Sequence, residues 1–287
     1  MKLATFSHAG STRIGVVTGD EVVDLAAAAP EMPRAMEAFL AAGEPALERA
    51  RAAARGGPRL PLAQVKLEAP VLRPRKFLAI GLNYADHIAE TGRPAPDFPM
   101  FFNKQVTCVN GPFDPIWMPP ESDKLDYEGE LAFVIGKRCR RVPRERAREV
   151  IAGYLICNDV SVRDWQQRAA TMTLGKSWDT HGPLGPWLVT GDELGDPHVL
   201  DLETTVDGER RQKSNTKNLV FDCFAQVETL STVFTLEPGD VISTGTCGGV
   251  GVAMNPRGYL KVGQRVRIEI SGLGAIENEV IPEPVPA

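Results

Sequence analysis

The sequence is poor in the residues that build disulfide-linked or zinc-bound domains, and it has no long hydrophobic run. Its five cysteines are scattered without a Cys-x-x-Cys pair, and it has only four histidines, so we expect neither a disulfide framework nor a zinc knuckle. No apolar stretch reaches the about 18 residues that a membrane span needs, and the N-terminus lacks the apolar core of a signal peptide. The net charge of −5 gives no support for a nucleic-acid or membrane partner. We therefore predict a cytoplasmic protein.

The length and composition are those of a globular protein with a sizeable core. The chain has 287 residues, of which 43% are hydrophobic and 24% are charged. Residues 1–70 contain short strand-like segments and then an alanine-rich helical stretch, which predicts a small N-terminal α+β domain. Residues 71–287 are mainly strand-like and carry the candidate chemistry, so we predict an α+β fold whose second domain is catalytic.

An acidic, strand-like stretch at residues 125–136 is the strongest chemical signal. Alternation places Asp126, Glu128 and Glu130 on one face of a strand that continues as an apolar run. Another lone carboxylate, Asp159, lies in a second predicted strand at residues 154–162. Buried carboxylates need protons, basic partners or a cation, and oxygen ligands suit Mg, Mn or Ca better than Zn. The alternative is an acidic edge strand that faces solvent.

A His-x-x-Glu pair follows a short buried strand at residues 77–81. His87 and Glu90 lie three residues apart, so on a helix the carboxylate can orient the imidazole. The pair is followed by a segment rich in proline and glycine at residues 91–99, which could close over a site. We interpret His87 as a candidate general base; a solvent-exposed helical turn is the alternative.

Further polar groups follow the second strand. Arg163 and Gln166 lie in a short predicted helix, and Lys176 lies in a loop with apolar and glycine neighbours. A longer helix is predicted from Pro143 to Gly153, because proline is favoured at the start of a helix and glycine at its end. The glycine-rich run at residues 245–251 is not followed by the helix that dinucleotide binding requires, so we expect its glycines to let backbone approach a ligand.

Six short motifs occur in an order that resembles the fumarylacetoacetate hydrolase family over about residues 70–282. They lie at residues 81–90, 126–131, 158–166, 175–177, 214–216 and 238–246. The resemblance implies a mixed β-roll or β-sandwich core, a homodimer, and Mg or Mn, with Ca also possible. It implies the following site residues: Glu128, Glu130 and Asp159 on the metal; His87, Glu90 and Lys176 in catalysis; Arg163, Gln166, Thr246 and Tyr84 around the substrate. Cys247 stands where relatives usually carry proline.

The resemblance implies hydrolysis of a carbon–carbon bond in a 1,3-dicarbonyl 2-oxo acid, such as an acylpyruvate or a fumarylacetoacetate-like compound. In this hypothesis His87, oriented by Glu90, activates water, and a divalent cation polarises the 2-oxo group. We expect residues 91–99 and the surroundings of Trp165, Trp178 and Cys247 to bind the distal acyl group. Three alternatives stay open: an oxaloacetate decarboxylase or tautomerase, a hydrolase of diketo-deoxy sugar acids, and a metal-dependent binding protein without catalysis.

Overall fold

The computed structural model describes residues 1–285 and consists mainly of β-strands. In chain order the strands are β1 (Lys2–His8), β2 (Ser11–Thr18), β3 (Glu21–Asp24), β4 (Arg59–Pro61), β5 (Lys66–Glu68), β6 (Phe77–Gly81), β7 (Met100–Lys104), β8 (Val109–Asn110), β9 (Ile116–Met118), β10 (Leu125–Asp126), β11 (Gly129–Ile135), β12 (Ile151–Asn158), β13 (Ser161–Val162), β14 (Gly182–Thr190), β15 (Asp201–Val206), β16 (Glu209–Asn215), β17 (Val241–Thr246), β18 (Arg265–Ile270) and β19 (Gly274–Pro282).

The helices are short, and several are a single turn. They are α1 (Leu25–Ala28), α2 (Met36–Ala41), α3 (Glu44–Gly56), α4 (Ala85–Thr91), α5 (Arg163–Gln166), α6 (Thr173–Lys176), α7 (Gly191–Leu194) and α8 (Cys223–Val233). Among residues 1–285, no helix has both the length and the apolar character needed to cross a membrane. The predicted α+β class is confirmed.

Three sheets organise these elements. The largest has twelve strands in the order β4-β3-β2-β1-β14-β12-β11-β17-β6-β7, with β5 beside β1 and β8 beside β14. A second sheet has the order β16-β15-β18-β19-β9, and β10 pairs with β13. Strands β1 to β5 thus continue the sheet that contains β11 and β12. Division of the chain after residue 70 stays a prediction.

Strand β11 lies between two hydrophobic cores, which explains why its sequence is apolar on both faces. Leu131 and Phe133 belong to the core that also contains the apolar side chains of β15, β18 and β19. Ala132 and Val134 face the other core, which is completed by α2, α3 and strands from the N-terminal part. A strand that is covered on both faces holds its carboxylates rigidly and away from water.

The predicted single strand at residues 125–136 is wrong in one respect, because it is interrupted at Tyr127 and Glu128. Strand β10 pairs with β13 and strand β11 pairs with β12, so the interruption lies opposite another break at Asp159 and Val160. The amide of Glu128 donates to Asn158 Oδ1 at 3.1 Å, and its carbonyl accepts from the amide of Asp159 at 2.9 Å. These bonds replace the regular ladder and place both carboxylates at one point between the strands.

The helix predicted from Pro143 to Gly153 is also wrong. The chain forms a 3-10 helix over Arg144–Val150 and enters β12 at Ile151. Gly153 pairs with Thr190 inside the sheet, where a Cβ atom would lie 2.4 Å from the carbonyl oxygen of Val189. The glycine is therefore required for the close approach of two strands, and it does not end a helix.

Candidate active site

Three buried carboxylates meet where β11 and β12 diverge. One oxygen from each of Glu128, Glu130 and Asp159 lies within 4.8 Å of the others. Their exposed fractions are 6%, 1% and 1%. These are the three residues that the family resemblance implies as metal ligands, and the structure brings them together.

Glu128 is held by two cations. Its Oε2 atom lies 2.6 Å from Lys176 Nζ, and its Oε1 atom lies 2.6 Å from Arg163 Nη1. Burial alone would raise the pKa of Glu128, but Lys176 and Arg163 outweigh it and hold this pKa well below the usual range. Glu128 is therefore ionised at neutral pH and can offer a negative oxygen to a cation.

Asp159 binds two lysines, one of which the sequence reasoning missed. Lys176 Nζ lies 2.8 Å from Asp159 Oδ2, and Lys104 Nζ lies 2.6 Å from Asp159 Oδ1. Lys104 also donates to the backbone carbonyls of Lys176 and of His181, the latter at 3.0 Å. Burial opposes its charge, yet Asp159 raises the pKa of Lys104 above its usual value. The only sequence signal for this role is a lysine that ends an apolar strand.

Glu130 differs from the other two carboxylates because no basic side chain among residues 1–285 forms an ion pair with it. Its Oε2 atom accepts hydrogen bonds from Ser243 Oγ at 2.5 Å and from the Gly245 amide at 2.8 Å. Burial, together with the charges of Asp159 and Glu128, raises the pKa of Glu130 well above its usual value.

The donor set fits a hard divalent cation. All three side chains offer oxygen, no histidine or cysteine belongs to the group, and the two neutral hydrogen-bond donors of Glu130 would not compensate a negative charge on it. A divalent cation beside Glu130 would supply the missing charge.

Asp126 shares the acidic stretch but has a different environment. Its carboxylate accepts from Arg163 Nε at 2.8 Å and from the backbone amides of Gly251 and Val252 at 2.8 and 2.9 Å. It also accepts a hydrogen bond from the Tyr127 amide at 3.0 Å, so four donors occupy the two oxygens of Asp126. It fixes Arg163 and the glycine-rich loop, and it does not belong to the three-carboxylate group.

The predicted His-Glu pair lies on helix α4. Glu90 Oε2 is 3.2 Å from His87 Nδ1, and the Gly249 amide donates to Glu90 Oε1 at 2.9 Å. Gly249 has a φ of +101°, and a Cβ atom there would lie 2.0 Å from the carbonyl oxygen of Arg211. The glycine-rich run therefore approaches α4 and β16 closely, whereas we expected it to approach a ligand. Its backbone fixes Glu90, the carboxylate that orients His87.

A cavity of about 630 Å³ connects the two halves of the site. Seven of the predicted site residues line it: His87, Glu90, Glu128, Arg163, Gln166, Lys176 and Thr246. Glu130 and Asp159 lie at its inner end, since both are within the carboxylate group of Glu128. The wall also contains apolar side chains and two arginines that the sequence reasoning did not single out: Met100, Phe102, Met172, Val252, Ala253, Arg93 and Arg257.

Arg163 presents an unused donor at this cavity. Its Nε and Nη1 atoms are bound to Asp126, Glu128 and Gln166, but its buried Nη2 has no partner among the residues that the structure describes. The Thr246 hydroxyl is engaged, because it donates to the Gly129 carbonyl at 3.0 Å. Arg163 thus retains one buried donor that an anionic ligand in the cavity would satisfy.

Tyr84 does not fit the predicted substrate-binding role. Its side chain is fully buried in the hydrophobic core and does not line the cavity. Burial raises the pKa of its hydroxyl well above the usual value. Tyr84 precedes α4 and positions this helix by packing.

The surroundings of Trp165, Trp178 and Cys247, predicted to bind the distal group, contribute Gln166, Gln167 and Thr246 to the cavity wall, whereas these three side chains themselves lie elsewhere. Trp165 and Trp178 stack edge to face at 5.1 Å and line a different cavity of about 360 Å³. Cys247 is fully buried, and burial raises the pKa of its thiol. None of the three side chains lines the cavity of the candidate site.

The chain is similar to known enzymes over nearly its whole length. The oxaloacetate tautomerase fahd2, mitochondrial, of Xenopus laevis is 43% identical over 288 residues, which cover 98% of this chain and 90% of that protein. A solved fumarylacetoacetate hydrolase from Exiguobacterium antarcticum is 37% identical with a TM-score of 0.88, covering 99% of this chain and all of that one. Maleylpyruvate hydrolase from Sphingobium sp. SYK-6, solved with manganese(II) and pyruvate, is 36% identical with a TM-score of 0.84 over 99% of this chain and 100% of that chain.

These relatives are hydrolases and a tautomerase, which supports the prediction that this chain is an enzyme. One of them is named as mitochondrial, and the cytoplasmic location and the homodimer predicted for this chain stay predictions. Residues 1–70 match the family described as Rv2993c-like, N-terminal. Residues 76–281 match the description Fumarylacetoacetate (FAA) hydrolase C-terminal, and the chain belongs to the fumarylacetoacetate hydrolase family.

Proposed function

We propose that this protein is a divalent-metal-dependent hydrolase that cleaves a carbon–carbon bond in a 1,3-dicarbonyl 2-oxo acid. The observation that carries the proposal is that His87, Glu90 and Glu128 line one cavity. The candidate general base His87 and the carboxylate cluster that could hold a cation therefore face the same cavity.

In this proposal Glu128, Glu130 and Asp159 hold Mg or Mn, with Ca also compatible with oxygen ligands. The bound cation supplies Lewis acidity toward the 2-oxo acid end of the substrate. Binding of manganese and pyruvate by the Sphingobium relative supports both the cation and the type of product.

His87 is the proposed general base. The 3.2 Å contact from its Nδ1 atom to Glu90 leaves Nε2 free to accept a proton from water when Nδ1 carries the hydrogen. Glu90 stabilises this tautomer and the imidazolium that forms. The Gly249 amide bond fixes Glu90, so the base is oriented before substrate arrives.

Arg163 and Gln166 are the proposed ligands of the substrate carboxylate, because Arg163 Nη2 is buried, unpartnered and attached to a residue of the cavity wall. Lys176 is bound to Glu128 and Asp159. Its ammonium therefore reduces repulsion between the two carboxylates, and it adds positive potential where negative charge develops during cleavage. Thr246 completes this wall.

A second candidate is oxaloacetate tautomerisation, favoured by the 43% identity to the Xenopus laevis tautomerase. This reaction needs proton transfer at the carbon between the two carbonyl groups and needs no attacking water. The same His87 could accept that proton, so geometry alone supports both reactions.

The test is an ultraviolet assay at neutral pH with Mg²⁺ or Mn²⁺, which follows the enol absorbance of several acylpyruvates and of oxaloacetate, with and without EDTA. The hydrolase proposal expects metal-dependent formation of pyruvate and a carboxylic acid. Enol–keto exchange of oxaloacetate without cleavage of any acylpyruvate would replace it with the tautomerase. His87→Ala is expected to abolish cleavage, and Arg34→Gln, an exposed residue outside the cavity, is the matched control.

A further inference from the structure

Three of the four tyrosines are buried in one hydrophobic core, but they differ in the use of their hydroxyl groups. Tyr84, Tyr127 and Tyr154 are each at most 1% exposed. The hydroxyls of Tyr84 and Tyr154 have no hydrogen-bond partner among residues 1–285. Tyr127, by contrast, donates to the carbonyl oxygen of Gly249 at 2.8 Å. Since a carbonyl oxygen can only accept, Tyr127 must be the donor.

Gly249 is hydrogen-bonded through both of its backbone groups. Its carbonyl accepts from Tyr127, and its amide donates to Glu90 Oε1 at 2.9 Å. The other oxygen of Glu90 lies 3.2 Å from His87 Nδ1. A single backbone residue therefore connects the buried phenol of Tyr127 to the carboxylate that orients the candidate general base.

The loop at residues 248–252 lies between helix α4 and the break that separates β10 from β11. Toward α4, two of its amides donate to the carboxylates of Asp86 and Glu90, at 3.3 and 2.9 Å. Toward the break, two further amides donate to Asp126, and one carbonyl accepts from Tyr127. The break leads directly into the carboxylate cluster on β11, so the loop holds α4 at a set position relative to that cluster.

We propose that Tyr127 is a positioning residue, which fixes His87 relative to the carboxylate cluster through Gly249 and Glu90. The inference rests on the proposed function for the role of His87 as the general base. Tyr127 does not line the cavity, so it acts through the loop and without touching the substrate. A base that is held by rigid backbone needs no reorientation when the substrate binds.

The hydroxyl of Tyr127 can be removed with little other change. Apart from the bond to Gly249, the structure gives this hydroxyl one weak contact within residues 1–285, to Met254 Sδ at 3.8 Å. Phenylalanine would keep the aromatic ring in the core. Asp126 is a poorer probe of the same loop, because it also binds Arg163 in the cavity wall.

The kinetic test compares Tyr127→Phe with Tyr154→Phe, using Mg²⁺ and an acylpyruvate. Both substitutions remove one buried hydroxyl, but that of Tyr154 is unpartnered within residues 1–285, and its side chain does not line the cavity. We expect Tyr127→Phe to lower kcat about tenfold and to change KM less than about twofold, because only the placement of the base is lost. Tyr154→Phe should keep the wild-type values.

The same substitution in a Glu90→Ala background tests the route of the effect. If Tyr127 acts through Glu90, adding Tyr127→Phe to Glu90→Ala should lower kcat no further, since residues that act as a unit are not additive. An unchanged kcat in Tyr127→Phe, an equal loss in Tyr154→Phe, or a full additional loss in the double variant would overturn the inference.

A measurement without substrate separates this inference from the proposed reaction. Long-range ¹H–¹⁵N spectra of histidine-labelled, Mg²⁺-loaded protein at about pH 8, where an ordinary histidine is neutral, report which ring nitrogen carries the proton. The signal of His87 is identified by its loss in His87→Ala. Wild type and Tyr154→Phe should show the Nδ1-protonated form, whereas Tyr127→Phe should show both forms.

The spectra have two informative outcomes. A His87 signal in Tyr127→Phe that is identical to the wild-type signal would overturn the inference. The expected change of tautomer in a protein that cleaves no dicarbonyl acid would support the positioning of His87 by Tyr127 and would overturn the proposed function instead.

Discussion

Replacing Lys104 with methionine tests whether the buried charges of the site depend on one another. The ammonium of Lys104 is completely buried and makes a 2.6 Å contact with Asp159. Lys104→Met removes this partner and leaves the His181 carbonyl without its donor. Breaking a buried ion pair from one side costs about 3–5 kcal/mol, so we expect the melting temperature to fall by about 6–10 °C.

The measurement is urea and thermal unfolding of Lys104→Met beside Lys66→Met. Lys66 also pairs with two acids, Glu68 and Asp114, but its side chain is 56% exposed, so its loss should cost less than about 1 kcal/mol. In the Lys104→Met/Asp159→Asn double variant part of the loss should be recovered, because the buried carboxylate that has lost one of its two lysine partners is then neutral. Equal stability losses in Lys104→Met and Lys66→Met, or strictly additive losses in the double variant, would refute this reasoning.

Three further predictions follow from single groups of the site and its support. Because burial and neighbouring acids raise the pKa of Glu130, Mn²⁺ must displace a proton there, and its affinity should rise with pH. Calorimetry in buffers of different ionisation enthalpy should detect this proton release in the wild type and not in Glu130→Gln. Burial lowers the pKa of His181 to about 3, so the folded protein keeps this imidazole neutral, whereas the unfolded chain protonates it below about pH 6.5. The free energy of unfolding should therefore fall by about 2 kcal/mol from pH 7 to pH 5. In urea titrations at both pH values, His181→Gln should abolish this change. Gly249→Ala forces a Cβ atom onto the Arg211 carbonyl, so steady-state assays should show a kcat at least about tenfold lower, with KM nearly unchanged; an unaltered kcat would disprove the link between this loop and Glu90.

The sequence predicted the carboxylate cluster because its signal is local. Glu128 and Glu130 interrupt an apolar run, and Asp159 interrupts another, so the cost of burial alone indicates a cation. The pairing of β11 with β12 then brings the two runs together. His87 and Glu90 were found for the same reason, since helical spacing relates them without any tertiary contact.

Lys104 could not be found in this way. Its partner Asp159 is 55 residues away, and a lysine at the end of a strand is more often exposed than buried. The predicted role of Tyr84 failed for a related reason. Its position beside α4 follows from the motif, but only packing decides whether its hydroxyl faces the cavity or the core.

The interruption of the two strands could not be predicted from the alternation of side chains either. A regular strand would place Asp126, Glu128 and Glu130 equivalently on one face. The actual chain leaves the ladder at Tyr127 and Glu128, and it turns Asp126 toward Arg163 and the Gly251 amide. Side-chain to backbone bonds over long sequence separations decide this, and they have no local signature.

The next measurement is product analysis of acylpyruvate turnover in ¹⁸O-labelled water by wild type and His87→Ala, each loaded with Mn²⁺. If the reaction is hydrolysis, the released carboxylic acid carries one labelled oxygen from solvent. If His87 activates that water, His87→Ala releases the acid at least about 100-fold more slowly while binding Mn²⁺ with unchanged affinity. Full activity of His87→Ala, or cleavage by wild-type protein that is undiminished in EDTA, would contradict both the general base and the metal dependence of the proposed reaction.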